Sequence, residues 1–226
     1  MTRFLAPLLI VLAATPSLAA ERRFTITSFD RIRMEAPFDV VLATNKSPNA
    51  KAEGPAGALD LVDLQVEGRT LIVRQRSSTG ARTSAPIRLT IATPDLTTAT
   101  VVGTGRLQID RMTGLTVNLA LAGPGLLKVA DLRADRLNLV AGGSGAVALA
   151  GAVKTGNVLA EGSVVVDAGA LGAEELVLVA TGNSEVRAAA RRTVKVTASG
   201  ATTVTLQNPV SCIQKVTGAA TVTNCR

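Results

Sequence analysis

The chain has 226 residues, of which 47% are apolar and 18% charged, and it carries a formal net charge of +7. This composition excludes a disordered chain, and the length suffices for one domain with a sizeable core. Histidine, tryptophan and tyrosine are absent, which removes His-dependent nucleophilic triads, the usual zinc sites and most stacking on nucleobases or sugar rings.

Residues 1–19 read as a secretory signal peptide. Arg3 supplies the positive start, Phe4 to Ala14 an apolar run too short to span a bilayer, and Ser17-Leu18-Ala19 a small-x-small site. Cleavage is expected after Ala19 or Ala20. No later apolar run of about 18 residues is free of charges or glycines, so no transmembrane segment is expected after cleavage. The mature chain is expected to be exported, to the periplasm or to the cell surface of a bacterium.

From residue 24 to about 95 the strand candidates are short and irregular. Phe24-Thr25-Ile26, Ile32-Arg33-Met34 and Phe38 to Leu42 are the first three. Thr44 to Ala58 is rich in turn formers, with a short strand near Lys51-Ala52-Glu53. Leu59 to Val66 predicts one helical turn followed by a strand. Glu67-Gly68-Arg69 then turns the chain into Thr70 to Gln75. Ser77 to Pro86 is a polar loop, and Ile87 to Ile91 alternates clearly.

From about 96 to 226 the pattern becomes regular. Gly103, Gly123, Gly143, Gly162, Gly182, Gly200 and Gly218 are separated by 20, 20, 19, 20, 18 and 18 residues. Such a period is the mark of a repeat architecture. After each glycine come inward candidates at spacing two: Leu107 and Ile109, Leu127 and Val129, Val147 and Leu149, Val164 and Val166, Val186 and Ala188, Val204 and Leu206, then Val222. A second apolar column precedes the glycines: Leu115, Val117 and Leu119, then Leu137 and Leu139, Leu176 and Leu178, Val194 and Val196. A run this short cannot hide its apolar side alone, so stacked laps must cover one another. The spacing predicts an all-β parallel β-helix or β-solenoid with two or three short strands per lap, a glycine at each corner and less regular N-terminal strand layers. The competing reading is an antiparallel sandwich of hairpins. Residues 24–226 read as one domain.

Cys212 and Cys225 both lie in the exported part, where a disulfide is the default. It would close a loop of about 14 residues and pin the last lap, worth roughly 3 kcal/mol in the chain-entropy model. A redox-active pair is the alternative, at a spacing far from C-x-x-C.

Several motifs fall in an order that resembles the GIN domain, the head domain of auto-transporter adhesins and a bacterial exported domain. Phe29-Asp30-Arg31-Ile32 opens it, and Pro37-Phe38-Asp39-Val40 follows. Gly68-Arg69-Thr70-Leu71-Ile72-Val73 and the corner Ile91-Ala92-Thr93-Pro94-Asp95-Leu96 come next. Repeated turns such as Gly103-Thr104-Gly105, Gly123-Pro124-Gly125 and Gly143-Ser144-Gly145 complete it. The resemblance implies a right-handed parallel β-helix facing outside the cytoplasm, and it brings no catalytic residues with it.

Two classes of function remain. Asp110 and Asp131 are 21 residues apart, near Arg111, Arg133, Asp135 and Arg136. Stacked at one corner they would suit a polysaccharide lyase or hydrolase acting on acidic sugars. The plainer reading is a solvated ladder of Asp–Arg pairs. The turn line also offers Ser144, Ser163, Asn183, Ser184, Ser199, Thr202 and Thr203 as exposed small residues for contact with a glycan or protein. The basic residues are scattered, so nucleic acid is not the expected partner. The reading favoured is a non-catalytic, adhesin-like envelope module with an envelope protein or glycan as partner and no cofactor. No metal is expected, because Gly142-Gly143-Ser144-Gly145 lacks the Asp of the calcium-binding nonapeptide.

Overall fold

The structure is a computed structural model that describes residues 20–76 and 86–226. The expected signal peptide and nearly all of the expected loop from Ser77 lie outside the described residues. The first half comprises β1 (Ala20–Phe24), β2 (Arg31–Met34), β3 (Asp39–Ala43), β4 (Asn49–Gly54), a short helix α1 (Ala56–Leu59), β5 (Val62–Glu67), β6 (Thr70–Gln75) and β7 (Arg88–Ala92). The second comprises β8 (Thr98–Val102), β9 (Arg106–Gly123), β10 (Leu126–Gly143), β11 (Ala146–Gly162), β12 (Val165–Gly182), β13 (Glu185–Gly200), β14 (Thr203–Gly218) and β15 (Thr221–Cys225).

β9 to β14 are the laps of a parallel β-solenoid. Each is one extended strand of 16 to 18 residues that runs from one glycine corner to the next, rather than two or three separate strands. Every neighbour pairs in parallel, which rules out the sandwich of hairpins. All seven corner glycines have φ between +78° and +111°, a region that residues with a Cβ rarely enter.

The core is the column those laps enclose. Leu107 stacks on Leu127 and Val147, and Leu119 on Leu139 and Val158, all of them buried. Leu115 departs from the expectation: it is 79% exposed. The reason is a phase slip at the corner between the two halves of each lap. Inward residues run Leu107, Ile109, Met112 and then Val117, Leu119, Leu121. The odd gap between Met112 and Val117 turns Leu115 outward.

The N-terminal strands extend the same stack, out of sequence order. β2 lies between β6 and β8, and β3 lies between β7 and β9, all parallel. The β2–β3 lap was therefore laid first and then overtaken, since the chain continues outward through β6 and β7 before crossing back to β8. Thr93 to Thr97 make that crossing. The Thr93 N–H donates to Ala43 O at 3.1 Å, the Asn45 N–H to Pro94 O at 2.9 Å, and the Thr97 N–H to Asp30 O at 2.9 Å. The fully buried Thr93 hydroxyl donates to Phe29 O. Antiparallel β5 covers β6, while β4 and then β1 cover β7. At the far end β15 covers only the first part of β14, and the Cys212–Cys225 disulfide ties it there.

Candidate functional site

The two carboxylates singled out by spacing do not meet. Asp131 stands in register with Arg111, not with Asp110. Its oxygens accept from Arg111 Nε and Arg133 Nε, both at 3.1 Å. Asp110 turns the other way, where Oδ1 accepts from the Thr44 N–H at 2.9 Å and the Arg111 N–H at 2.6 Å. Asp110 thus fixes the chain where the first laps join, and Asp131 is held between two guanidiniums. Neither is a free base beside a substrate-sized space.

The space lies just beyond, on the short side of the solenoid where each lap turns from its first half to its second. Stacked laps put Gly114, Ala134 and Val153 in one column, and Ala152 and Gly172 in the next. These small residues form the floor of a groove of about 380 Å³. Arg133, Asp135, Lys154, Glu174 and Arg191 form its walls. Asp135 sits 2.8 Å from Lys154 Nζ and holds that ammonium charged to higher pH than usual. Glu174 accepts from Arg192 at 2.9 Å. The Arg191 guanidinium lies over the bare Cα of Gly172, where an added Cβ would stand 3.6 Å from Nη2. Arg133 donates to Asp131 through Nε and lines the same groove. Two guanidiniums thus line one groove.

Arg133 and Asp135 were visible by spacing. Lys154, Glu174 and Arg191 come from later laps and were missed, because they stand 11, 12 and 9 residues past Gly143, Gly162 and Gly182 and share no fixed offset from the corner. A ladder on the second half of the lap was also missed. Asn138 Nδ2 donates to Asn118 Oδ1 at 3.0 Å, and Asn157 Nδ2 to Asn138 Oδ1 at 3.1 Å. Arg136 stands in register with Thr116 and Thr155 on that same half.

The turn residues are not all outward. Ser184 and Thr202 are buried, because they occupy the inward corner position that Gly105, Gly125 and Gly145 fill in earlier laps. The carbonyls at 105, 125, 145, 164, 184 and 202 each accept the N–H that opens the next lap. The Ser184 hydroxyl donates to Thr181 O at 3.0 Å, and that of Thr202 to Ser199 O at 2.9 Å. Ser144, Ser163, Asn183 and Thr203 are exposed.

A second, more polar cleft of about 600 Å³ opens at the chain crossing, lined by Ser28, Asp30, Arg69 and Asp95 among others. Arg69 Nη2 lies 2.9 Å from Asp30 Oδ2. Among the described residues no group of three or more His, Cys, Asp or Glu could hold a metal ion. None of their helices is long and apolar enough to cross a membrane.

The fold and its faces define a parallel β-solenoid that displays side chains in lap-spaced columns. The chain belongs to the family described as "Putative auto-transporter adhesin, head GIN domain", whose model matches residues 28–209. Solved structures share the fold. One is a putative adhesin from Bacteroides fragilis, 18% identical, covering 90% of this chain and 94% of that one at a TM-score of 0.79. A putative adhesin from Parabacteroides merdae is 17% identical, with coverage of 92% and 96% and a TM-score of 0.71. A putative lipid binding protein from Parabacteroides distasonis is 16% identical, with coverage of 92% and 96% and a TM-score of 0.65. At such identities the likeness is one of fold. No curated protein matches the chain significantly.

Proposed function

We propose that the chain is an exported, non-catalytic module of the bacterial envelope that binds an envelope glycan or protein through the short side of its solenoid. Membership of an adhesin-head family supports display outside the cytoplasm, and residues 1–19 have the pattern of an export signal. The observation that carries the reading is the groove between Arg133 and Arg191. Its floor is Gly and Ala with the one valine Val153, so a ligand chain comes close to the backbone. Its two guanidiniums offer fork-shaped donors to carboxylate, phosphate or sulfate groups. Asp135 and Glu174 are tied to Lys154 and Arg192 and repel an anion less than free carboxylates would.

A carbohydrate-active enzyme on the same scaffold is the weaker reading. Asp131 is held by two arginines and Asp110 by backbone N–H groups, so the corner lacks a carboxylate pair facing one sugar.

Purified chain incubated with envelope fractions at several salt concentrations tests the reading. Retention of the wild type, weakened by the charge reversal R133E/R191E, is expected. No retention at any salt concentration would sink the binding module, and equal retention of the variant would remove the groove from it. Release of sugar fragments by the wild type would restore the enzyme.

A further inference from the structure

The second half of each lap forms one broad parallel face, and its outward side is not uniformly polar. Ala120, Val140, Leu159 and Val179 stand in one register column across β9 to β12. Val140 is 48% exposed, and Val177 beside the column is 41% exposed. The Asn118–Asn138–Asn157 ladder borders this stripe and holds its edge straight. A parallel sheet with aliphatic side chains standing in water is uncommon, because such sheets are normally covered on both sides.

We propose that this face is covered by a second copy of the chain, packed face to face about a two-fold axis that runs along β11. The axis keeps the strand direction and reverses the lap order, so β10 lies over β12 of the second copy and β11 over its own counterpart. Val140 then meets the second copy's Val179, and Leu159 meets the second copy's Leu159. The lap spacing of about 4.8 Å is the same in both copies, so the columns match along their whole length.

The charges single out this register. Arg136 and Glu175 lie in one column, on β10 and β12, with Thr155 between them. About the β11 axis each Arg136 faces the second copy's Glu175, twice over. Among the described residues Arg136 has no ion-pair partner in its own chain, and Glu175 reaches only the exposed Arg192, at 3.3 Å. A slip of the axis by half a lap spacing would set Arg136 against Thr155 and lose both pairs. Lys195 faces Asn118, and Lys215 faces Thr100. The one like pair is Glu161 with its own counterpart, beside the glycine corner at the rim.

The face spans five laps and three or four outward columns, roughly 24 by 20 Å. Covering it in both copies removes on the order of 1,000 Å², the lower bound for a specific association. A reversible dimer of modest affinity follows.

Sedimentation of the purified full chain over a concentration series tests this, alongside short-spacer bismaleimide cross-linking of Leu159→Cys. Both native cysteines are in the disulfide, so the introduced thiol is the only one to react. The expected result is a monomer–dimer equilibrium with a covalent dimer from Leu159→Cys and none from Gln108→Cys, on the first-half face. Val140→Glu should raise the dissociation constant about tenfold or more, since it sets a carboxylate against aliphatic surface. Arg136→Glu should weaken the dimer, and E175R added to it should restore it. Far-UV circular dichroism checks that each variant is folded. A chain monomeric at every soluble concentration overturns the proposal. So does a dimer that Val140→Glu leaves intact or that Leu159→Cys does not cross-link. The groove of the proposed binding function is on another side, so R133E/R191E should leave the dimer unchanged.

Discussion

Gly143 sits on Gly123 so closely that a Cβ added to Gly143 would lie 2.9 Å from both the Cα and the N of Gly123. With φ at +101° the site is closed to side chains twice, by conformation and by space. Gly143→Ala should therefore destabilise by about 3 kcal/mol, from backbone strain plus displacement of the corner below. Gly57→Ala is the control. An added Cβ there meets nothing within 4 Å, and helix α1 accepts alanine, so a change within about 1 kcal/mol, on the stabilising side, is expected. Denaturant melts of the two variants check the contrast.

The disulfide closes the open end of the stack. Cys212 and Cys225 are 13 residues apart, and Cys212 stacks on the core residue Val194. The double variant C212S/C225S should lose roughly 3 kcal/mol. The loss should be concentrated at β15, whose first residues pair only with Thr203 to Thr205. Thermal unfolding with and without reductant reads the first effect, and amide exchange over residues 203–225 reads the second.

Asn138 is the middle of the ladder, donating to Asn118 and accepting from Asn157. Asn138→Ala breaks both bonds and should cost about 1 kcal/mol, since the face is exposed and water replaces part of what is lost. A double-mutant cycle with Asn157→Ala should show positive coupling. Strict additivity would mean that the ladder contributes nothing to stability.

The acid limb of stability is set by paired carboxylates. Glu35 accepts from both Arg33 and Arg74, which holds its carboxyl below the ordinary range. A folded value below the unfolded one stabilises the protein above the unfolded value, and this contribution is lost as pH falls through the folded one. Glu35→Gln should lower stability modestly at neutral pH, because the pairs are at the surface, and leave the acid region unchanged, so the acid limb flattens. Lys51 and Lys154 carry the opposite sign. Their carboxylate partners raise them, so that contribution fades only as pH climbs past their raised values. Urea midpoints measured from acid to alkaline pH check both limbs.

Much of the fold was legible because glycine and the period-two columns report the same geometry independently. The corner spacing marks the laps, and Leu127, Val129 and Val147 turn inward in register. Leu115 was misread because strict alternation does not cross the corner after Met112. Ser184 and Thr202 were misread because small hydroxyls suggest exposed turns, whereas here they stand in for inward corner glycines. The insertion of β2 between β6 and β8 left no local trace, since that pairing joins segments far apart in sequence. The groove was half visible. Arg133 and Asp135 share one lap, but Lys154, Glu174 and Arg191 join them only once the laps are stacked.

Native-state amide hydrogen exchange along the purified chain tests the stacking of laps most directly. The account predicts slow exchange through β10 to β13, from Leu126 to Gly200, where each lap lies between two neighbours. It predicts fast exchange over Ile213 to Gly218, which have a neighbour on one side only. Rapid exchange within β10 to β12, or protection at Ile213 to Gly218 equal to theirs in the monomer, would contradict it.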